Sequence, residues 1–395
     1  MRTHLIVTSM ATAALSAGTA SAQNSGWEPL ERYSLPGWES ADGEHSFAFR
    51  GRVYYDMADI GWSSPYGGQP ERSEFRTARF GMQAEYGDFK FVVEYDFSGA
   101  DASPKDVYMN YRSPVGDFRF GHFKTMNSLD EMTSSRHTTF MERGLATDLF
   151  HLDRRIGLSY SWSGHGFLAS AGVFGAPMDN NFAFRESGSS SAVAARLVWT
   201  GEIDGTRIHL GGSWRGLDYD MGTRLRAYPQ MHLSNRFRAA DYRPGAAGGE
   251  ADRSDFYGLE AAAVRGPFHI HGEFARMDID GPAGSPGFDS GFVQAGWILT
   301  GETRPYKASS GAFDRIVADR PLSAGGPGAW EVAARYDVTD MGAAGLGDIR
   351  SATIGLNWYP FKKVRVGINY VDAELDAPVF TETSDGWQMR VQFDW

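Results

Sequence analysis

The chain has 395 residues, a formal net charge of −11 at pH 7, no cysteine, 48 glycines and 14% aromatic residues. The acidic balance argues against a nucleic-acid-binding protein, and the lack of cysteine excludes a disulfide-stapled fold. Beyond the N-terminus no segment approaches roughly 18 consecutive apolar residues, so transmembrane helices are not expected, and a closed β-barrel is the remaining way to span a membrane.

The first residues predict a secretory signal peptide. Arg2 and His4 form a short charged start, Leu5–Leu15 is a modest apolar stretch, and Ala20–Ala22 fits a small-residue cleavage site. We therefore expect a signal peptide over 1–22, a short periplasmic N-terminal segment over 23–44, and one folded unit over 45–395. No linker divides that unit.

The segment HSFAFRGRVYYDMADIGW, which follows residue 44, is the first predicted strand. Phe47, Phe49 and Val53 lie on one face of a period-2 strand, and Arg50 and Arg52 lie on the other. In a soluble β-sandwich the arginines would face water and the aromatic residues a core. In a membrane barrel the aromatic residues would face lipid and the arginines a pore.

The same alternation recurs along the chain in segments of about ten residues, the length that a tilted transmembrane strand needs. The clearest examples are DFKFVVEYDFSG, KDVYMNYRS, RRIGLSYSWSG, TRIHLGGSWRG, AWEVAARYDV, KVRVGINYV and DGWQMRVQFDW. Tight turns such as SGHG, RGP and YPFKK separate some segments, and longer polar stretches separate others. Short turns at one end and long loops at the other are typical of a transmembrane barrel.

Three stretches are expected to be long loops: Tyr219–Asp255, Arg276–Ser290 and Thr303–Gly328. Within the first of them, GTRLRAYPQMHLS could hold one further strand. Thr125–Phe150 is the large non-alternating segment of the first half, and we expect it to carry a short helix.

Tryptophans favour lipid over a protein core on the apolar face. They stand at segment ends, as in interfacial aromatic girdles, at Trp162, Trp199, Trp214, Trp358, Trp387 and Trp395. A sandwich of this many strands would need a large two-sided apolar core. We therefore predict an all-β transmembrane antiparallel barrel of sixteen strands, with a secreted β-sandwich or solenoid as the alternative.

Several long blocks resemble the phosphate-selective porin O and P family, from about Phe47 to Trp395. The blocks include FRTARFGMQAEYGDFKFVVEYDFSG, SLDEMTSSRHTTFMERGL, GWILTGETRPYK and TIGLNWYPFKKVRVGINYV. The resemblance implies an outer-membrane homotrimer of sixteen-stranded barrels with a loop folded inward. It also implies an anion path lined by arginines, so Arg50 and Arg52 are expected to face a water-filled lumen.

Strand parity gives the arginines expected in that lumen. They are Arg50, Arg52, Arg79, Arg112, Arg119, Arg155, Arg196, Arg207, Arg215, Arg335, Arg365 and Arg390. As a set they could pass an anion between successive weak sites. The competing interpretation is that most of them keep the lumen wet or pair with Glu85, Glu94, Asp96 or Asp337.

The resemblance also assigns residues to the constriction, and this sequence departs from the family pattern there. Arg76 matches the first of two paired arginines, but Thr77 replaces the second. Glu131 and Val317 stand where the family has lysines. The positions that keep or border the family pattern are Lys307, Asp106 and Arg315.

The replaced lysines put phosphate specificity in doubt, because a carboxylate beside a narrow passage repels a polyvalent anion. Loop arginines could partly compensate, namely Arg136, Arg143, Arg304 and Arg315. The alternative for Arg143 is a structural ion pair with Glu142 or Asp148.

No catalytic residue set, cofactor site or metal site is expected. His269 and His271 share a strand face, but no third metal ligand is near them in the sequence, and DIDG at Asp278–Gly281 lacks the remaining ligands of a calcium loop. The expected partners are small permeant anions, outer-membrane lipid and lipopolysaccharide, and the outer-membrane assembly machinery through the C-terminal strand.

The leading hypothesis is a passive channel for small anions, with phosphate as a candidate, in the bacterial outer membrane. A general porin, or one for another solute, is the alternative that the lost lysines allow. A structural barrel with a plugged lumen and a secreted binding protein are the remaining classes.

Overall fold

A computed structural model describes residues 27–29, 37–63, 72–178, 186–187, 190–220, 222–227, 229–234, 240–244, 250–282 and 284–395. The predicted signal peptide over 1–22 lies outside the described residues, as do parts of the segment 23–44.

Within the described residues, one sheet of 18 strands dominates the fold. Two of its strands form an N-terminal hairpin, and the other sixteen form a barrel. The barrel strands are β1 (His45–Ser63), β2 (Ser73–Tyr86), β3 (Phe89–Asp96), β4 (Ser103–Ser113), β5 (Gly116–Lys124), β6 (Arg154–Gly164), β7 (Phe167–Phe174), β8 (Ser190–Ile203), β9 (Thr206–Tyr219), β10 (Arg253–Arg265), β11 (Phe268–Asp280), β12 (Gly287–Ile298), β13 (Ala329–Asp340), β14 (Asp348–Phe361), β15 (Val364–Ala377) and β16 (Phe380–Asp394).

The barrel is closed. Each strand pairs antiparallel with the next, and β16 returns to β1 in a register that runs from Thr383 opposite Ser63 to Asp394 opposite Arg52. Closure leaves no free sheet edge among the barrel strands, as the hydrocarbon layer of a membrane requires. The predicted all-β, sixteen-stranded antiparallel barrel is confirmed.

Helix content is small. The described α-helices are α1 (Leu129–Met132) and α2 (Leu145–Leu149), both in the segment where a short helix was expected. No helix in the described part of the chain is long and apolar enough to cross a membrane. Short strand pairs outside the barrel join Glu186–Ser187 to Gly222–Thr223, Leu225–Ala227 to Ala240–Tyr242, and Tyr306–Lys307 to Ala312–Phe313. The stretch GTRLRAYPQMHLS thus holds two of these short strands and no barrel strand.

Alternation along the strands sorts side chains as predicted. On β1, Arg52 and Asp56 are buried inside the barrel, whereas Phe49 stacks on Phe80, which is exposed on the outer face. Aromatic and β-branched side chains pack well on a pleated, half-buried surface, which is why such segments form strands. The outer face is therefore apolar and the lumen polar over most of the barrel height.

The polarity reverses at the end of the barrel that carries the long loops. On β11, Met277 and Ile279 are buried inside while Arg276 and Asp278 point outward. This reversal made the expectation of a long loop over Arg276–Ser290 wrong. Strands β11 and β12 extend to Asp280 and from Gly287, because their inner side chains form an apolar core with α2.

The N-terminal hairpin continues the wall where β16 ends. Its strands Trp27–Pro29 and Gly37–Ser40 pair with each other, and the second pairs with the start of β1, with Trp38 opposite Phe47. Just above it, the amide of Trp395 donates to the carbonyl of Gly51 at 3.1 Å.

Candidate functional site

Residues 125–153, between β5 and β6, form the constriction loop, which folds into the lumen. Their backbone amides bind the side chains of the far wall. The amide of Asp130 donates to Glu273 on β11 at 2.6 Å, that of Leu145 to Asp337 on β13 at 3.1 Å, and that of Met141 to Asn369 on β15 at 2.9 Å. The loop therefore packs along β11–β15, and it also reaches β1 and β3 through the side chains of Ser135 and Arg136.

Buried arginines from the wall hold this loop through its carbonyl groups. Arg215 donates to Phe150 at 2.7 Å, Arg335 to Glu142 at 3.0 Å, and Arg365 to Thr139 at 2.6 Å. Arg390 likewise donates to the carbonyl of Met141. These four residues were predicted in the lumen, and they do lie there, but their contacts are structural. A planar guanidinium with several fixed donors suits such carbonyl binding.

A second inward segment enters from the opposite end of the barrel. We call residues 299–328, between β12 and β13, the turn-side loop. Tyr306 on it binds His209 at 2.6 Å, and Arg196 on β8 donates to the carbonyl of Gly311 at 2.7 Å. The two inward loops meet, since the amide of Phe313 donates to Thr133 at 3.2 Å.

Five cations surround the space between the constriction loop and β1–β6, and each has a side chain 10–16% exposed. Together with three carboxylates, they form what we call the constriction ring. Its cations are Arg50, Lys124, Arg136, Arg143 and Arg154, and its carboxylates are Glu94, Asp106 and Glu131.

Ion pairs fix the geometry of the ring. Asp106 binds Arg154 at 2.8 Å and lies 3.8 Å from Arg50. Glu131 lies 2.9 Å from Lys124 and 3.1 Å from Arg143. The carboxyl group of Glu131 is thus occupied by two cations of the ring.

Glu94 on β3 is the buried carboxylate of the ring. It lies 3.1 Å from Arg50, 3.0 Å from Arg52, 3.4 Å from Arg79 and 3.5 Å from Arg136. Its side chain is 0% exposed. One negative charge therefore meets four positive charges, and the surplus of positive charge is concentrated on β1–β3.

The loop side of the site titrates abnormally. Burial, helped by the guanidiniums of Arg315 and Arg136, lowers the pKa of His137 to about 2, so His137 is neutral at physiological pH. Burial alone would raise the pKa of Glu142, but Arg76 and Arg390 outweigh it and hold that pKa well below the usual range. At physiological pH His137 therefore adds no positive charge to this part of the lumen, whereas Glu142 keeps its negative charge.

Below the ring, towards the short turns, more cations follow β2–β5. Arg112 and Lys90 both bind Glu85, at 2.7 Å and 3.0 Å. Arg119 lies over the ring of Tyr108, 4.5 Å from its centre, and donates to Asn110 at 3.3 Å. Among the described residues Arg119 has no carboxylate within ion-pair distance.

The remaining predicted site residues lie elsewhere in the lumen. Arg76 binds Glu142 at 3.0 Å, Arg155 is buried and donates to the carbonyl of Gly175, and Arg335 binds Asp337 at 2.9 Å. On the turn-side loop, Lys307 is exposed, and Arg315 binds Asp394 of β16 at 2.5 Å. The structure thus brings Asp106 and Glu131 into the ring, but neither Lys307 nor Arg315.

Two ring cations, Lys124 and Arg154, were missed in the sequence. They flank the constriction loop at the ends of β5 and β6, where strand parity no longer predicts direction. Their position next to the non-alternating segment was the available signal. The alternative pairing of Arg143 with Glu142 is not found, since Arg143 binds Glu131.

The two histidines considered as metal ligands, His269 and His271, each bind a glutamate side chain. His269 binds Glu331 at 2.7 Å and His271 binds Glu273 at 2.8 Å. Among the described residues, the group with three possible metal ligands within 4.8 Å of one another is Asp42, Glu44 and His45, at the exposed turn before β1. It lies outside the ring.

Comparison with known proteins agrees with the geometry. The pattern that defines the family described as phosphate-selective porin O and P matches residues 47–395. An uncharacterised protein of Caulobacter vibrioides is 31% identical over 83% of this chain and 68% of its own length. Porin O of Pseudomonas aeruginosa is 26% identical over 90% of this chain and 89% of its own length.

Solved structures share the fold. An anion-selective porin from Comamonas acidovorans has a TM-score of 0.58 at 14% identity, over 89% of this chain and 100% of that one. The trimer form of OmpT from Vibrio cholerae has a TM-score of 0.57 at 13% identity, over 89% and 99% of the two chains. With its closed sixteen-stranded barrel and its match over residues 47–395, the chain belongs to the phosphate-selective porin O and P family of the bacterial outer membrane.

Proposed function

We propose that the protein is a passive channel for small anions. The observation that carries this proposal is the cluster at Glu94 in the constriction ring, where one fully buried carboxylate meets four guanidiniums. Of these four, the buried Arg52 has Glu94 as its carboxylate partner, whereas Arg79 is also paired with Asp96. The other ring cations are paired, since Lys124 binds Glu131, Arg143 binds Glu131 and lies near Asp130, and Arg154 binds Asp106 and Asp153. A partly hydrated passage with surplus positive charge attracts anions and repels cations.

Phosphate is proposed as one permeant among several. Arginine forks suit phosphate oxygens, and Arg50, Arg136 and Arg143 all reach the ring. However, Lys307 lies outside the ring. Glu131 forms ion pairs with Lys124 and Arg143 and so reduces the positive charge that they offer to phosphate. This pairing favours a second candidate, a general porin with weak anion preference.

The assembly and surroundings follow from the same barrel. We propose a homotrimer, supported by the trimer form of the Vibrio cholerae relative in fold. Phe393 on the outer face of β16 and Trp395, the residue after this strand, are proposed as the signal for the assembly machinery. The exposed apolar outer face is proposed as the contact with lipid and lipopolysaccharide.

The test is the single-channel current of the purified protein in planar bilayers. We would record the zero-current potential across a potassium chloride gradient and then titrate phosphate. We expect the zero-current potential to lie close to the equilibrium potential of chloride. We also expect added phosphate to reduce the chloride current. A zero-current potential near zero, or close to the equilibrium potential of potassium, would contradict the anion channel. An anion-selective current that phosphate does not reduce would favour the general porin.

A variant pair locates the selectivity. Arg50→Gln removes a cation of the ring and is expected to move the zero-current potential towards the potassium side. Arg207→Gln is the matched control, because Arg207 is exposed at a short turn, where it binds Glu202 at 3.2 Å. Equal effects of the two substitutions would mean that the ring does not set the selectivity.

A further inference from the structure

Glu94 and the four arginines around it form the densest charge cluster among the described residues of the lumen. The carboxylate is fully buried on β3, and its partners come from β1, β2 and the constriction loop. A carboxylate has two oxygens and about four sites that accept hydrogen bonds. The two oxygens of Glu94 therefore cannot accept hydrogen bonds from all four guanidiniums, because one or two guanidiniums would already use their acceptor sites.

The four arginines depend on Glu94 to different degrees. Arg79 also binds Asp96 at 2.9 Å, and Arg50 lies 3.8 Å from Asp106. In the described part of the chain, Arg52 and Arg136 have no second carboxylate within ion-pair distance. Arg52 instead donates to Ser135 of the constriction loop at 2.7 Å.

The cluster has one side against the wall and one side towards the passage. Arg52 and Glu94 are buried, with side chains 3% and 0% exposed, whereas those of Arg50 and Arg136 are 16% and 14% exposed. A permeant anion can therefore reach Arg50 and Arg136 but not Glu94. Both guanidiniums contact Glu94 and are partly exposed, whereas Arg79, 13% exposed, is also held by Asp96.

We propose that Glu94 sets how tightly the constriction holds a permeant anion. It acts as a resident carboxylate that shares Arg50 and Arg136 with the passing ion, and so lowers the affinity of the ring for polyvalent anions. Conduction needs binding strong enough for entry and weak enough for release. This inference rests on the proposed anion channel, and it makes Glu94 a specificity-determining residue that never touches the permeant ion.

The experiment compares phosphate block of chloride current in the wild-type channel and in Glu94→Gln. Removing one negative charge a few ångströms from the passage is expected to lower the half-blocking phosphate concentration about tenfold or more. Glu94→Asp keeps the charge and is expected to stay within about threefold of the wild type. Glu85→Gln is the matched control, because Glu85 also binds two cations on the same wall, at the short-turn end.

The proposal would be overturned if phosphate blocked the Glu94→Gln channel at the same half-blocking concentration as the wild type or as the Glu85→Gln channel. Should Glu94→Gln give no folded barrel, Glu94→Gln with Arg136→Gln removes one charge of each sign. We expect that double variant to be blocked at several-fold lower phosphate than Arg136→Gln alone, and equal block would overturn the proposal. A wild-type channel without anion preference would instead refute the proposed function itself.

Discussion

Glu131 lies in the constriction ring as the common partner of Lys124 and Arg143. From the sequence this residue was expected to repel a polyvalent anion. In the structure its charge is bound to two cations, so it weakens the ring by neutralising them. Its effect on the passing ion is thus indirect, through the cations that it withdraws.

Replacing Glu131 with glutamine should make the channel more selective for anions. Lys124 would lose its carboxylate partner and Arg143 would keep Asp130, at 3.8 Å. We expect the chloride-to-potassium permeability ratio to rise about threefold, as one unit charge in a partly hydrated site allows. The measurement is the zero-current potential in a salt gradient. Glu202→Gln at an exposed turn is the control, and an unchanged ratio for Glu131→Gln would contradict the role given to the pair.

Glu142 on the constriction loop gives a prediction on pH. It lies 3.0 Å from Arg76 and 2.7 Å from Arg390, which hold its pKa far below the usual range although burial opposes them. A carboxyl group with a depressed folded pKa stabilises the fold above its unfolded pKa of about 4.3, and that stabilisation is lost as the pH falls below this value. The wild-type barrel should therefore lose stability on acidification below about pH 4.5.

Urea unfolding in detergent between pH 3 and pH 7 tests this. Glu142→Gln removes a charged partner from the half-buried Arg76 and from Arg390, which keeps Asp56, so it should cost about 2 kcal/mol at neutral pH and flatten the acid dependence. The control is Glu44→Gln, at the exposed turn before β1. An acid dependence as steep in the Glu142 variant as in the wild type would show that other carboxyl groups cause it.

At the scale of elements, the constriction loop owes its shape to the strands that surround it. Its two helices are single turns, and its backbone groups are bound by side chains of the wall. Isolated helices of this length are not stable in water, so the wall determines the loop conformation. The constriction loop, which has little regular structure of its own, is thus held in place by the surrounding barrel strands.

Arg365→Gln should loosen this element. Arg365 donates to the carbonyls of Thr138 and Thr139 and also binds Asn357 at 2.8 Å. Losing it leaves the carbonyl of Thr138 without this donor, while that of Thr139 still accepts from Asn357. We expect a loss of about 2 kcal/mol in the free energy of unfolding together with a noisier open-channel current. The current trace and a urea titration measure both effects. Arg350→Gln on β14 is the control, because Arg350 points outward and is exposed.

Strand positions could be predicted wherever one face met lipid. The alternation on β1, β3 and β15 gave the correct inner and outer residues, because side-chain direction has a period of two. Prediction failed over Arg276–Ser290, where the apolar side chains turn inward and pack against α2. Local hydropathy cannot distinguish such a segment from a loop.

The candidate site was predictable only in part. Parity placed Arg50 in the lumen and suggested Glu94 as a partner for lumen arginines, but it selected Arg155, which is buried, in place of its neighbour Arg154. The structural role of Arg215 and Arg365 could not be predicted, since it depends on where the loop carbonyls lie in space. Pairing across the lumen has no signature in one sequence.

At the scale of the whole molecule, the seam between β16 and β1 closes the barrel. Beside this seam, Gly51 meets the C-terminal residue, and a Cβ atom there would lie 2.2 Å from the ring of Trp395. No side chain larger than hydrogen fits without moving the C-terminus. The end of the chain and the first strand are therefore in direct contact.

Gly51→Val should prevent closure of the barrel. We expect the fraction of heat-modifiable, folded protein in outer membranes to fall severalfold. The valine side chain would occupy the space of the Trp395 indole, so β1 or the C-terminal residue must shift. Gly212→Ala on β9 is the control, since its Cβ would lie 3.6 Å from its nearest neighbours, an ordinary contact. Normal yields of folded Gly51→Val would show that the C-terminal residue is not needed at this position.

The two inward loops enter from opposite ends of the barrel, and both bind strands at the seam. The constriction loop binds β1 through Arg52 and Ser135, and β16 through Gln392 and the carbonyl of Arg136, while the turn-side loop binds β16 through Arg315. Each loop thus adds side-chain contacts to a strand of the seam, besides the backbone pairing of β16 with β1. The packed lumen and the closed seam therefore stabilise one another, so a substitution that loosens either loop also weakens the closure of the barrel.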